Sequence, residues 1–190
     1  MKETLKAFLN YFAPLPAEQF DKFAEIFTPV NIRKLDHLYR EGDNVKNLYY
    51  IHDGLMRGYY PKEGVEHTTS FYFGPCLMTD LPTVKDNTPT KMNMQALRET
   101  QCYEADYETA VQVAFDNPEL LKAFYRMFEF MLNDLINRQV SFIYHTPKER
   151  YLNLFKERPQ LIAEIPQHYI ASYLGVQPET LSRIRKRIAL

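Results

Sequence analysis

The stretch from Gln167 to Arg187 reads QHYIASYLGVQPETLSRIRKR, and its small, turn and apolar residues fall at the spacing of a helix-turn-helix. With Gln167 as the first position, Ala171 is fifth, Gly175 ninth, Leu181 fifteenth and Ile184 eighteenth. The fifth residue must be small because the second helix crosses the first there, and the ninth must accept a left-handed backbone, which glycine does without a Cβ penalty. Leu181 and Ile184, with Ile170 and Leu174, then lock the two helices together. Gln177, Glu179, Ser182, Arg183 and Lys186 face outward from the second helix, as polar side chains able to reach base edges and phosphates in a major groove. The residues expected to contact DNA are Gln167, His168, Gln177, Pro178, Glu179, Ser182, Arg183, Lys186 and Arg187.

A helical hairpin packed into some other domain would also place Ala and Gly at this spacing. Charge favours the DNA reader. Residues 145 to 190 carry eight Lys or Arg against four Asp or Glu, a net of +4, whereas residues 1 to 144 carry fifteen against twenty, a net of −5. The total of −1 therefore hides a basic tail on an acidic body, and a basic tail suits phosphate contact.

The 190 residues allow one domain or two small ones, and 45% apolar with 14% aromatic residues argue for a folded protein. The N-terminus MKETLKAFLNYFAPLP interrupts its apolar positions with Lys2, Glu3, Lys6 and Asn10, unlike a secretory signal. No apolar run approaches the ~18 residues of a membrane span. Cys76 and Cys102 are too few and too far apart for a disulfide framework or a CxxC metal knot. A cytoplasmic location without membrane contact is expected.

Residues 2 to 12 and 17 to 27 read as short amphipathic helices separated by Pro14-Leu15-Pro16. From about Val30 to Ala105 the pattern changes to short β-rich runs: VNIRKL, LYYIHDG, LMRGYY, HTTSFYF, KMNMQAL and QCYEA. Gly42-Asp43, Asp53-Gly54, Gly64 and Gly74-Pro75 mark turns between them. Many short strands at such spacing predict a closed sandwich or barrel of the jelly-roll kind.

Pro118 to Tyr144 reads as one helix of some 27 residues, ~40 Å long. Lys122, Arg126, Glu129, Asn133 and Asn137 form a narrow polar stripe, and most of the remaining circumference is apolar. Such a helix needs two apolar partners. One is the β-domain; the other is expected to be the same helix of a second copy, with Leu121, Phe124, Phe128, Met131, Leu135 and Phe142 in the seam. Full burial in a monomer is the alternative, but a chain of this length offers little material to surround the helix. Thr146-Pro147-Lys148-Glu149 then predicts a new helix with Thr146 as N-cap and Glu149 closing a capping box, so the long helix must end or bend near His145.

In this order of parts the chain resembles the Crp/Fnr family of bacterial transcription regulators. Arg40-Glu41-Gly42-Asp43 and Leu48 to Tyr60 look like that family's β-roll signature, and Pro178 to Ile184 looks like its recognition helix. The resemblance implies an α+β fold: an N-terminal double-stranded β-helix (jelly-roll) sensor domain over 1–117, a dimerisation helix over 118–145 and an all-α helix-turn-helix domain over 146–190. It implies a dimeric DNA-binding regulator reading a palindromic operator through the helix 178–187, with double-stranded DNA, a second copy and RNA polymerase as partners. In family members a Glu and an Arg at the places of Glu179 and Arg183 read bases. The physics agrees, since Glu accepts from cytosine N4 and Arg can bond guanine O6 and N7 together.

Two departures limit what carries over. Members that bind cyclic AMP use a Gly-Glu and, several residues later, an Arg followed by a small hydroxyl residue. Here Pro75 or Cys76 stands for the acid, no Arg follows before Arg98, and Lys85 or Lys91 is the nearby cation. A buried cyclic phosphate would lack a bidentate partner, so control by cyclic AMP is not expected. The corresponding pocket residues, Phe73, Gly74, Pro75, Cys76, Thr79 and Lys91, are left to another small molecule or to none. Secondly, Leu190 follows the recognition helix directly, so the family's β-hairpin wing is expected to be absent, with Arg185, Lys186, Arg187, Gln167 and His168 holding phosphates instead.

No cofactor or metal is expected. An iron-sulfur sensor needs about four Cys. His37, His52 and His67 read better as turn or surface residues than as haem ligands, and Cys76 better as a small hydrophobe than as a redox-active thiol. A cupin-like enzyme on the β-roll is the alternative from another class; it needs converging His and carboxylate ligands, and no HxH, HExxH, GxSxG, P-loop or GxGxxG occurs. A partner protein that kept the fold without binding DNA is the third reading.

Overall fold

A computed structural model describes residues 1–188; the last two residues of the expected 146–190 domain lie outside the described residues. The chain divides into two compact units, one of Met1–Gly58 with Phe71–Met131 and one of Tyr59–Ser70 with Leu132 onward.

In the first unit, α1 (Lys2–Phe12) and α2 (Ala17–Glu25) flank the Pro14-Leu15-Pro16 break, which Asn10 stabilises by accepting the Leu15 N–H at 2.9 Å. Eight strands follow: β1 (Thr28–Ile32), β2 (His37–Tyr39), β3 (Asn47–Asp53), β4 (Leu55–Lys62), β5 (Val65–Phe73), β6 (Cys76–Met78), β7 (Asn93–Ala96) and β8 (Thr100–Asp106). They form two four-stranded sheets, ordered β1-β8-β3-β6 and β2-β7-β4-β5. That alternation of strands between sheets is the jelly roll expected from the turn spacing.

Two apolar clusters hold this unit. Ile51, Met56, Met78, Met94, Ala96 and Cys102 belong to the one that includes the β2, β3, β7 and β8 side chains. In the other, Leu5, Leu9, Phe20 and Phe23 pack with Tyr50, Ala110, Leu120 and Phe124, so the N-terminal helices are integral to the core. Fully burying a side chain of Leu or Phe size contributes ~1.5–3 kcal/mol. Two short helices, α3 (Leu81–Asp86) and α4 (Tyr107–Phe115), complete the unit; Asp106 caps α4 by accepting the Thr109 N–H at 2.8 Å.

Helix α5 (Pro118–Tyr144) is continuous over 27 residues and stops at the residue pair before Pro147. Helix α6 (Pro147–Glu157) begins on the expected capping box: the Glu149 carboxylate accepts the Thr146 N–H at 2.8 Å, and Thr146 Oγ1 accepts the Glu149 N–H at 3.3 Å. Helices α7 (Pro159–Glu164), α8 (Gln167–Tyr173) and α9 (Pro178–Ile188) follow, around buried Tyr151, Leu154, Leu161, Ile165, Ile170, Leu174 and Leu181. Among the described residues no helix is long and apolar enough to cross a membrane.

Candidate nucleic-acid interface

The quoted stretch folds as two helices joined by a four-residue turn, Leu174 to Gln177. Ala171 is wholly buried, and its carbonyl accepts the Val176 N–H at 3.0 Å, which closes the turn. Gly175 takes φ +69°, the left-handed conformation its position requires. A Cβ there would also meet the Phe142 ring at 2.9 Å, so the site excludes any side chain on two counts. Leu181, 1% exposed, is buried with Ile170 and Leu174.

Gln177, Pro178, Glu179, Arg183, Lys186 and Arg187 lie exposed on α9 and its N-terminal approach, with Ser182 half-buried. Gln167 and His168 are exposed at the start of α8. The Arg183 side chain reaches back to the Glu179 carbonyl at 3.4 Å, one turn earlier. Arg185, Lys186 and Arg187 occupy the last turn of α9, where cations complement the helix dipole as well as a phosphate backbone. The face thus combines an acceptor, several donors and positive charge, the set needed for base edges and phosphates.

Arginines from neighbouring helices brace the turn. Arg150 on α6 donates from Nε and Nη2 to the Leu174 carbonyl, at 3.2 and 3.0 Å, and from Nη1 to the His145 carbonyl at 2.8 Å. Its guanidinium also lies 4.7 Å from the Phe142 ring centroid. Sequence reading missed this residue, because nothing in an amphipathic stretch marks which arginine will cap a helix twenty-four positions later.

The seam residues divide. Leu121, Phe128, Met131 and Leu135 are exposed on α5, but Phe124 is not part of that face. It is 9% exposed and meets Phe23 edge-on at 5.5 Å, because at this position α5 faces the N-terminal helices. Phe142 is exposed at 41%, yet it also seats Gly175 and two arginines within its own chain. Tyr125 and Leu132 are exposed beside the expected residues, giving Leu121, Tyr125, Phe128, Leu132 and Leu135 in steps of four and three.

Of the expected pocket residues, Phe73 to Thr79 are spread along β6 and its approaches. Gly74 lies against the β3 backbone at His52 and Asp53, where a Cβ would stand 2.9 Å from main-chain atoms. Thr79, at the other end of β6, donates to the Asn47 carbonyl at 2.9 Å. Pro75 and Lys91 are exposed, and Phe73 and Cys76 are half-buried. An open cleft of about 240 Å³ lies elsewhere, beside Val45, Lys46, Thr83, Val84, Asp106 and Tyr107, none of which the sequence singled out. The ammonium of Lys85 is 5.7 Å from the Tyr107 ring. Within the same stretch Asp80 is 5% exposed and accepts the hydroxyls of Thr83, at 2.8 Å, and Thr90. A buried carboxylate, not a guanidinium, is therefore the ionisable group that this stretch contributes to the interior.

Cys76 and Cys102 stand opposite Ile51 from either side of β3. Two strand spacings separate them by roughly 9–10 Å, beyond disulfide reach. Burial pushes both thiols up to about 12, the reverse of what a redox-active thiol needs. His37, His52 and His67 are carried by β2, β3 and β5 respectively, and His52 Nδ1 pairs with the Thr4 hydroxyl at 2.8 Å.

Comparison with known proteins agrees with this architecture. Residues 29–117 match the cyclic nucleotide-binding domain family. The chain is 26% identical over 183 residues to the fumarate and nitrate reduction regulatory protein of Escherichia coli (strain K12), covering 90% of this chain and 71% of that protein. The corresponding protein of Vibrio cholerae is 25% identical with the same coverage. Among solved structures, FixK2 from Bradyrhizobium japonicum superposes with a TM-score of 0.73 at 17% identity, over 86% of this chain and 85% of that one. The c-di-GMP responsive global regulator CLP of Xanthomonas campestris gives 0.71 at 16% identity, over 92% of each chain. The two sequence relatives are named as regulatory proteins, and CLP as a global regulator. Along 90% of its length the chain is thus similar to the fumarate and nitrate reduction regulatory protein, and its fold is that of FixK2 and CLP.

Proposed function

We propose that the protein is a dimeric, DNA-binding transcription regulator that reads a palindromic operator with α9. The observation that carries this reading is the turn at Gly175 joined to the exposed Gln177, Glu179, Arg183 and Lys186. Two interlocked helices with a polar, basic outer face are what reading a major groove requires, and this supports the proposal. Homology to regulatory proteins along 90% of the chain supports it.

Residues 1–117 serve as the sensor domain, 118–145 as the dimerisation helix and 146–190 as the reading head. The dimer forms through the exposed α5 face that steps from Leu121 to Leu135 by fours and threes, the repeat of a two-stranded coiled coil. A lone helix that left these side chains in water would forgo ~1.5–3 kcal/mol for each one buried. The sensor domain does not respond to cyclic AMP, because the stretch that holds the nucleotide in responsive relatives supplies Asp80 and no arginine. As a regulator of transcription the protein works in the cytoplasm.

Selection of duplexes from a random pool by the purified protein tests the function. Recovery of one approximate palindrome, with half-sites about one helical turn apart, is the expected result. A pool left unenriched would reject the reading.

A further inference from the structure

The second unit contains a piece of the β-roll sequence, the tip of the β4–β5 hairpin at Tyr59–Ser70, together with the helix-turn-helix. Among the described residues strand β5 is last in its sheet, with a neighbouring strand on one side of its backbone. Helix α8 supplies partners on β5 from a single side chain. Ser172 Oγ accepts the Thr68 N–H at 2.9 Å and donates to the Glu66 carbonyl at 2.8 Å, so one hydroxyl uses both its roles on the same strand. Thr68 is 3% exposed. Next to it, Arg138 on α5 donates to the Thr69 carbonyl and, at 3.2 Å, to the Tyr173 carbonyl, while its guanidinium stacks 4.1 Å from the Tyr173 ring centroid.

We propose that the hairpin tip is a docking edge for the reading head, and that Ser172 and Arg138 are positioning residues for DNA recognition that do not themselves touch DNA. This rests on the DNA-binding reading above. The exposed face of α9 carries none of these bonds, so the contact holds the head without covering it. Ser172 follows Ala171, the buried small residue of α8 at the turn into α9, and fixing α8 therefore fixes the recognition helix. A head held in one orientation gives up less conformational freedom on binding than a loose one.

The test compares the full chain with its Ser172→Ala and Ser172→Thr variants, by amide hydrogen exchange and by affinity for the selected duplex. Ser172→Ala should speed exchange of the Thr68 amide by about tenfold and weaken duplex binding by about three- to tenfold, the size expected from losing one hydrogen-bonding hydroxyl. Ser172→Thr keeps the hydroxyl and should restore both, which a general loss of packing would not allow. Unchanged Thr68 exchange in Ser172→Ala overturns the docking contact. Faster exchange with unaltered affinity overturns the positioning role. A wild-type chain that selects no duplex overturns the function itself, and is told apart from the other failures because the exchange measurement needs no DNA.

Discussion

A Cβ on Gly175 would stand 2.9 Å from Cε1 of Phe142, on a backbone already held at φ +69°. The ring cannot simply retreat, because the guanidiniums of Arg138 and Arg150 lie 5.7 and 4.7 Å from its centroid. The turn between α8 and α9 is thus moulded on an aromatic residue of α5. Gly175→Ala combines ~1–2 kcal/mol of left-handed strain with this contact. We expect denaturant unfolding to report a loss of about 2–3 kcal/mol. With Phe142→Ala as background the cost of the same change should shrink toward the backbone strain alone, since the two residues share one contact. Full additivity would show that the ring plays no part.

The exposed apolar face of α5 predicts a dimer of about twice the 22.5 kDa chain mass in sedimentation. Leu132→Glu and Leu135→Glu, at positions 58% and 51% exposed in the single chain, should yield a folded monomer by placing charge in the seam. Phe124→Glu should behave differently and unfold the protein, because Phe124 is buried against Phe23. A wild-type monomer at micromolar concentration would remove the seam altogether.

Local patterns were readable from sequence where the physics is local. The helix-turn-helix depends on Ala171, Gly175 and Leu181 within fifteen positions, and the α6 start on Thr146 and Glu149 three apart. Strands β3, β4, β5 and β8 stood out because aromatic and β-branched residues fill them over seven to nine positions. Strands β2 and β6, three residues each, are too short to show alternation, and α3, α4 and α7 lacked a clear period. What stayed hidden was set by distant partners. Phe124 and Phe128 look alike on a helical wheel, yet only the first meets Phe23, and Ser172 meets Glu66 across 106 positions.

Cyclic AMP and cyclic GMP should show no binding in titration calorimetry at ligand concentrations up to the micromolar range. The stretch they would need contributes the buried Asp80 carboxylate, whose partners are the Thr83 and Thr90 hydroxyls. Losing a charged hydrogen bond costs ~1.5–3 kcal/mol, and two such losses lower affinity by at least about a hundredfold. A micromolar dissociation constant accompanied by tighter duplex binding would contradict this.

Both thiols are pushed up to about 12 by burial, from an ordinary value of 9.0. Iodoacetamide at pH 8 should therefore leave Cys76 and Cys102 unmodified in the folded protein while labelling them quickly in denaturant. The folded state holds these protons more tightly than the unfolded one. Their contribution to stability is intact below about pH 9 and declines as pH rises toward 12, by up to ~1.4 kcal/mol per pH unit for each thiol. Rapid labelling of Cys76 in the native state would reverse the assignment.

Arg183, exposed on α9 one turn beyond Glu179, allows the most direct test of base reading. Binding of wild-type, Arg183→Ala and Lys186→Ala proteins to the selected duplex and to a random one is measured across a range of salt concentrations. Arg183→Ala should cost ~1–3 kcal/mol on the selected duplex and little on the random one, whereas Lys186→Ala should weaken both alike and reduce the salt slope by about one. Equal losses on both duplexes for Arg183→Ala would contradict the claim that α9 reads sequence.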